Sequence, residues 1–557
     1  MGLAQREVLT GEEALTGGEA LTGGEALTGG EALVRALSGH AVTRVFGIPG
    51  THNLEVYRHL AAYGIRHVTP RHEQGAGYAA DGYARVTGRP GVVLTTTGPA
   101  LLNAAAAVGQ AYSDSVPLLV LSPGMPLGHP RLSTGALHEM GSQTEALRAV
   151  AAFSHRVSSI AEIDAAVARA FTMFRTRRPR PAHVEVPLDL LTASETLGPV
   201  RVAPPVPRPA PDQRAVREAA KALAGARRPA LVLGGGAREA RPHCLALAER
   251  LGAPAVTTAN GKGGVPETHP LSLGVSLHSA VVREWLGTRD VVVAVGTELA
   301  ESDFWTSPPA LDGTLIRVDI DPDQMYAHMP ADLALVGDAR TTVTALLAEL
   351  PAADGTKAHA RVAEEVAALR AARDAETAER DTRWLGYLRA MRAVLDEDAV
   401  VTSDSAQCCY YGALPHFPVG PRGSYLHPTG FGTLGYALPA AIGAKVAHPR
   451  RQVVALSGDG GLQFTVQELA TAVQLQLPLP IVVFDNGGYG EIRDEMTARG
   501  DIPTAVDLPP VDLPALARAY GGHGTHACGP AGLARALAEA LDRPGPTLIT
   551  VPEEKTP

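Results

Sequence analysis

The chain is short of cysteine, of positive charge and of long apolar runs, and each shortage closes off a class of protein. Four cysteines occur in 557 residues: Cys244, Cys408, Cys409 and Cys528. They show no metal-ligand spacing, and the neighbours Cys408 and Cys409 make a poor structural disulfide. Reduced thiols packed as small hydrophobes are expected. Lysine and arginine total 49 against 58 acidic residues, a net charge of −9. That balance argues against a nucleic-acid partner with a broad footprint, while leaving a local pocket open. No apolar run reaches the roughly eighteen residues of a membrane span, and no signal-peptide h-region is seen. We therefore expect a soluble, cytoplasmic protein with no membrane partner, long enough for three domains of ordinary size.

Domain boundaries follow from composition. Residues 9–32 repeat Leu-Thr-Gly-Gly-Glu-Ala almost perfectly. Paired glycines at that period suit neither a helix nor a solenoid, so residues 1–30 read as a poorly ordered extension, with only the last copy needed to start a helix. A first α/β domain is expected over 31–195, a proline-rich linker over 196–212 and a second α/β domain over 213–352. A solvated helical linker rich in Ala, Glu and Arg follows at 353–383, and a third domain at 384–557.

The third domain holds the most informative stretch, Ser457-Gly458-Asp459-Gly460-Gly461, answered by Asp485-Asn486-Gly487-Gly488-Tyr489-Gly490. Valine-rich runs at Gln452–Leu456 and Leu479–Phe484 flank a helical pattern, giving a βαβ unit with parallel strands. An acid then stands at one strand's carboxyl end and an amide at the next, the edge where open α/β sheets bind ligands. These hard oxygen donors suit Mg²⁺, which keeps phosphate and water as its other ligands. The glycines let backbone N–H groups approach a phosphate. Taken alone, Gly-Asp-Gly reads first as ordinary turn chemistry.

With twenty-four residues separating Gly460 from Asp485, the pair resembles the metal–diphosphate motif of the thiamine diphosphate (ThDP) enzymes. The resemblance implies that Asp459 and Asn486 bind Mg²⁺ through side chains and Gly488 through its carbonyl. Gly458, Gly460, Gly461, Tyr489 and Gly490 would line the diphosphate. Asp485 stands where Asn is commoner, at the position that is not the ligand. The earlier run Arg71-His72-Glu73-Gln74-Gly75-Ala76-Gly77-Tyr78, with Glu73 at a helix start, resembles the family's pyrimidine-binding domain. It gives Glu73 the role of activating the aminopyrimidine. Gln407, Cys408, Gly432 and Thr433 match further cofactor positions, and Leu434 takes the place of the residue that bends the cofactor, although the residues alone would put it in the core.

The implied fold is α/β, with three doubly wound, parallel-sheet domains in the order pyrimidine-binding, central and diphosphate-binding. Segments through Thr97 and Tyr112–Leu119 resemble the acetolactate synthase and benzoylformate decarboxylase branch. Ala100 departs from a frequent glycine, and His138-Glu139 stands where acetolactate synthases tend to carry a Gln-Glu pair near the substrate. Thr51, His52, Thr97 and His138 would line the pocket mouth and handle protons or a substrate carboxylate. Acetolactate synthases bind FAD in the central domain and carry an arginine-rich run there. This chain has Glu298-Leu299-Ala300-Glu301-Ser302-Asp303-Phe304-Trp305 instead, which argues against FAD.

The implied reaction is decarboxylation of a small-molecule 2-keto acid to an aldehyde and CO₂. The alternative is an acetolactate synthase-like carboligase joining two keto acids. A non-catalytic subunit is disfavoured because Glu73, Asp459 and Asn486 are all present. The pattern also resembles decarboxylases of 5-guanidino-2-oxopentanoate. Glu298 and Asp303 suit a guanidinium, and Trp305 a cation–π contact, although a solvated loop is the competing reading. In this family one subunit's pyrimidine domain faces another's diphosphate domain, implying a homodimer at minimum and a homotetramer as the fuller assembly.

Overall fold

The protein is described here by a computed structural model covering residues 25–130, 133–200, 205–352 and 356–553; the earlier copies of the repeat lie outside the described residues. The strands are short apolar runs. In the first domain they are β1 (Glu25–Thr28), β2 (Arg44–Gly47), β3 (Arg66–Val68), β4 (Gly91–Leu94), β5 (Leu118–Gly124), β6 (Phe153–Arg156), β7 (Ala182–Pro187) and β8 (Ser194–Leu197). The second contributes β9 (Pro229–Leu233), β10 (Ala255–Thr257), β11 (Ser272–Val275), β12 (Val291–Val295), β13 (Thr314–Asp319) and β14 (Leu333–Val336). The third contributes β15 (Val400–Ser403), β16 (Ser424–Leu426), β17 (Val453–Gly458), β18 (Leu479–Asp485), β19 (His523–His526) and β20 (Pro546–Pro552).

Each domain is built on one six-stranded sheet, in the orders β3-β2-β4-β5-β7-β6, β11-β10-β9-β12-β13-β14 and β16-β15-β17-β18-β20-β19. The pairs within these sheets are parallel. Helices cover both faces, so a strand such as Val291–Val295 is buried along its whole length and needs no polar alternation. The strand order reverses between β2 and β4, between β9 and β12, and between β15 and β17. These three switch points open a crevice at the carboxyl edge of each sheet, where loops can receive a ligand.

Two departures from the sequence expectation concern the joints. The last repeat copy belongs to the fold, because β1 pairs antiparallel with β8 and the first helix, Gly29–Gly39, starts where the strand ends. The linker helix is longer and less solvated than expected. It spans Thr356–Val394, with Trp384, Leu388 and Met391 in the third-domain core and Arg373 and Asp381 buried. Arg373 donates to the carbonyl of Leu273 at 3.0 Å, and Arg370 to those of Glu267 and His269 at 2.9 Å. These two arginines therefore satisfy backbone carbonyls of the central domain, while most other charges of the helix face water. Among the described residues no helix is long and apolar enough to cross a membrane.

The first and third domains meet along the helices Glu73–Thr87 and Ala437–Ala447. A Cβ on Gly82 would stand 2.2 Å from the Ala440 carbonyl oxygen. Beside this crossing, Arg85 donates to Asp81 (2.7 Å), Asp114 (2.8 Å) and Asn260 (2.9 Å). The Tyr436 hydroxyl donates to Asp81 at 2.5 Å. One buried guanidinium thus ties the three domains together.

Candidate active site

At the third domain's switch point, β17 ends at Gly458 and Asp459 opens the short helix Asp459–Leu462. The Asn486 backbone N–H, just past β18, donates to Asp459 Oδ1 at 3.3 Å. Burial, and next the Asp485 carboxylate, push Asp459 up to about 6. Asn486 Oδ1 is buried and has no hydrogen-bond partner. Asp485 Oδ1 accepts from the Gly487 N–H at 3.1 Å and closes the turn. Gly488 has φ +146°, a conformation open to glycine, and a Cβ on Gly460 would lie 3.1 Å from its carbonyl oxygen. A carboxylate, an orphaned amide oxygen and a main-chain carbonyl therefore gather where positive charge is wanting, a donor set that fits a hard cation. No group of three His, Cys, Asp or Glu residues among the described residues forms a metal cluster by itself.

The loops around these donors are pinned by Asp404, at the end of β15, a residue sequence reasoning did not single out. Its buried carboxylate accepts from the backbone of Ser405 and Gly435 at 2.9 Å and from the Ser457 hydroxyl at 3.1 Å. The only signal was an acid at the carboxyl end of a buried apolar strand. Gln110 of the first domain holds Thr433, accepting from its N–H at 3.2 Å and its hydroxyl at 2.9 Å. The segment this holds leaves Gly432 exposed and Leu434 half-buried, outside the core. Cys408 is buried, 3.8 Å from Cys409 Sγ, and burial raises its thiol well above the ordinary range, so it remains protonated. Gln407 donates to Asp494 at 2.7 Å. Tyr489 precedes the helix Gly490–Ala498, its ring against Gly460.

At the first domain's switch point the residues predicted for the pocket mouth come together. His52 Nδ1 lies 2.6 Å from Thr97 Oγ1, and His138 Nδ1 lies 3.1 Å from the same hydroxyl. The two rings meet edge to face at 5.4 Å. Burial, and then His138, lower the His52 pKa, keeping its imidazole neutral at pH 7. Gly98 has φ +60°, and a Cβ there would strike the His138 carbonyl at 2.5 Å. Thr51 is exposed beside this group. Glu73 opens the helix Glu73–Thr87, and its Oε2 accepts from Asn103 Nδ2 at 3.0 Å. No hydrogen bond or ion pair among the described residues links Glu73 to Asp459 or Asn486.

The three residues expected to receive a cationic tail do not share one environment. Glu298 and Asp303 line a cavity of about 620 Å³ at the central domain's switch point. Glu298 is paired with Arg178 at 2.6 Å. Burial, and then Glu298, push Asp303 up to about 7. Trp305 turns the other way, stacking on His278 at 4.3 Å and meeting the edge of Tyr411 at 5.4 Å.

Three doubly wound domains, with an acid at a helix start in the first and a carboxylate–amide–carbonyl set in the third, define a two-part cofactor-binding enzyme fold. The chain matches the family models for the thiamine pyrophosphate enzyme N-terminal TPP binding domain over residues 27–146, the central domain over 216–346 and the C-terminal TPP binding domain over 406–551. It belongs to the thiamine pyrophosphate (thiamine diphosphate) enzyme family. It is 46% identical over 493 residues to the "Probable 2-ketoarginine decarboxylase" of Pseudomonas aeruginosa, covering 88% of this chain and 87% of that one. It is 33% identical over 501 residues to an acetolactate synthase large subunit of Corynebacterium glutamicum, covering 84% and 76%. With the acetolactate synthase isozyme 3 large subunit of Escherichia coli it shares 32% over 531 residues, 92% of each chain.

Proposed function

We propose that this enzyme decarboxylates a 2-keto acid to an aldehyde and CO₂ with thiamine diphosphate and Mg²⁺, and that its substrate is 5-guanidino-2-oxopentanoate (2-ketoarginine). The observation that carries the reading is the orphaned Asn486 Oδ1 beside Asp459, in a chain so similar to a protein named for that reaction. When bound, thiamine diphosphate supplies the electron sink that loss of CO₂ from a 2-keto acid requires. Asp459, Asn486 and the Gly488 carbonyl would hold Mg²⁺, and the backbone of Gly458, Gly460, Gly461 and Gly490 the diphosphate, with Gln407, Thr433 and Tyr489 alongside. Glu73, with one oxygen held by Asn103, would share a proton with the pyrimidine. Leu434, half-buried, would support the cofactor.

Departure of CO₂ leaves the former carbonyl carbon to be protonated. The His52–Thr97–His138 chain delivers that proton, and a neutral His52 relays it without trapping it. FAD has no part in this reading. A homodimer, with a homotetramer as the fuller assembly, would join Glu73 of one subunit to the Asp459 donors of the other, as the family's shared site implies. The test is incubation with Mg²⁺, ThDP and a panel of acidic, aromatic, aliphatic and guanidino 2-keto acids. CO₂ and 4-guanidinobutanal from the guanidino acid alone would support the reading. The acetolactate synthase relatives favour a second one, carboligation, for which an acyloin product would decide.

A further inference from the structure

The central-domain acids are poorly placed to take a guanidinium tail, on which the proposed function rests, because Arg178 already answers Glu298, and burial, then Glu298, raise Asp303 to about 7. A second carboxylate stands closer to the cofactor loops. Glu491 follows Gly490, whose backbone lies so close to Asn486 that a Cβ would meet its Nδ2 at 2.4 Å. Glu491 Oε1 accepts from the Tyr411 hydroxyl at 2.5 Å. Glu491 Oε2 is buried and has no hydrogen-bond partner, and no cation of the described residues forms an ion pair with it. The side chain as a whole remains partly open. An unmet carboxylate oxygen out of water is costly unless a cation or donor arrives to satisfy it.

Tyr411 holds this carboxylate in a fixed position. Its ring meets Trp305 at 5.4 Å and Trp384 at 6.3 Å, and the Arg380 guanidinium lies over it at 3.7 Å. Arg380 is itself paired with Asp381 at 2.7 Å, so it does not oppose a second cation with a full free charge. Burial, and then the Glu491 carboxylate, raise the Tyr411 hydroxyl above its ordinary range, so it stays a donor. Oε1 keeps a second lone pair beside the tyrosine bond, and both lone pairs of Oε2 are unbonded. That leaves two parallel acceptors, the arrangement a planar guanidinium engages with two N–H groups. An acid in the first turn of the helix Gly490–Ala498 also suits the helix dipole. The dipole alone would affect stability and leave substrate choice untouched.

We propose that Glu491, oriented by Tyr411, is the residue that receives the guanidinium tail of the substrate. The inference rests on the guanidino reading of function but is tested separately from it. Holoenzyme loaded with Mg²⁺ and ThDP is assayed on 5-guanidino-2-oxopentanoate and on 2-oxooctanoate, a neutral acid of equal chain length. Glu491→Gln keeps the shape and the tyrosine contact while removing the charge. The ratio of the two kcat/KM values should fall roughly ten- to a hundredfold, mainly through KM for the guanidino acid. Tyr411→Phe should lower the ratio in the same direction by a smaller factor, and Glu495→Gln, an exposed acid on the same helix, should leave it unchanged. A ratio that moves less than twofold in Glu491→Gln overturns the proposal. Should the wild type not turn over the guanidino acid, the reading of function fails by itself, and calorimetry with 4-guanidinobutanoate decides the inference. Binding to wild-type holoenzyme that is lost in Glu491→Gln supports it. Equal binding, or none to the wild type, overturns it.

Discussion

If the active site is shared between subunits, two dead variants should repair each other. Glu73→Gln removes the carboxyl proton from one half-site, and Asp459→Ala removes a cation ligand from the other. Neither change should unfold the protein. Glu73 makes one side-chain hydrogen bond, to Asn103, which the amide oxygen can still accept, so the stability change should stay within about 1 kcal/mol. Asp459 is a carboxylate already raised to about 6 by burial and by Asp485, and removing it relieves repulsion in the cofactor-free protein. Each variant alone should lose turnover by about two to four orders of magnitude, the range of acid–base and electrostatic contributions. When the two are unfolded, mixed in equal amounts and refolded, half the dimers are hybrids, each with one intact site and one doubly defective site. Activity should then recover to about a quarter of wild type. The assay is CO₂ release per subunit before and after mixing, with thermal midpoints to confirm that each variant is folded. Recovery no greater than the average of the separate variants would refute the shared site. Near-normal turnover in Glu73→Gln alone would remove that residue from the mechanism.

Adding Mg²⁺ and ThDP together should raise the thermal midpoint of the wild type, because both bind the folded state; calorimetry should show both affinities falling together in Asp459→Ala. Arg85→Met strands Asp81 and Asp114 in the interior where the three domains meet, and should cost about 3–5 kcal/mol in chemical denaturation; a loss below about 1 kcal/mol would contradict the tie. Burial holds His183 down to about 3 between Ser122 and Ser154. The unfolded chain takes up that proton below about 6.5 and the folded chain does not, so its contribution is complete above that pH and is lost on acidification by about 1.4 kcal/mol per unit. His183→Gln should flatten the stability–pH curve between pH 6.5 and 5 by about 2 kcal/mol relative to wild type, whatever its absolute stability.

What could be read from the sequence was local. The valine runs at β12 and β17 announce buried parallel strands because nothing polar interrupts them, and Glu73 opens its helix as its spacing suggests. The adjacency of Asp459 and Asn486 follows from a single βαβ unit. What escaped depends on partners far along the chain. Asp404 gathers backbone from 405, 435 and 437, and the pairing of Glu298 with Arg178 spans 120 residues. Nothing near Glu491 in sequence names Tyr411. The linker helix misled for another reason: arginines that satisfy buried carbonyls look like arginines that face water when only composition is counted.

The crossing of the helices Glu73–Thr87 and Ala437–Ala447 has a mechanical consequence. A Cβ on Gly443 would sit 1.8 Å from the Ala79 carbonyl oxygen, and one on Gly82 2.2 Å from that of Ala440. Two backbones in such contact leave no layer of side chains to slide or compress, so the first and third domains cannot act as jaws on a hinge. Any opening that admits a ligand must then come from loops at the sheet edges. The span between Glu73 and Asp459 within each chain is fixed in the way a gauge block fixes a length, and a single methyl group at Gly82 or Gly443 would alter it.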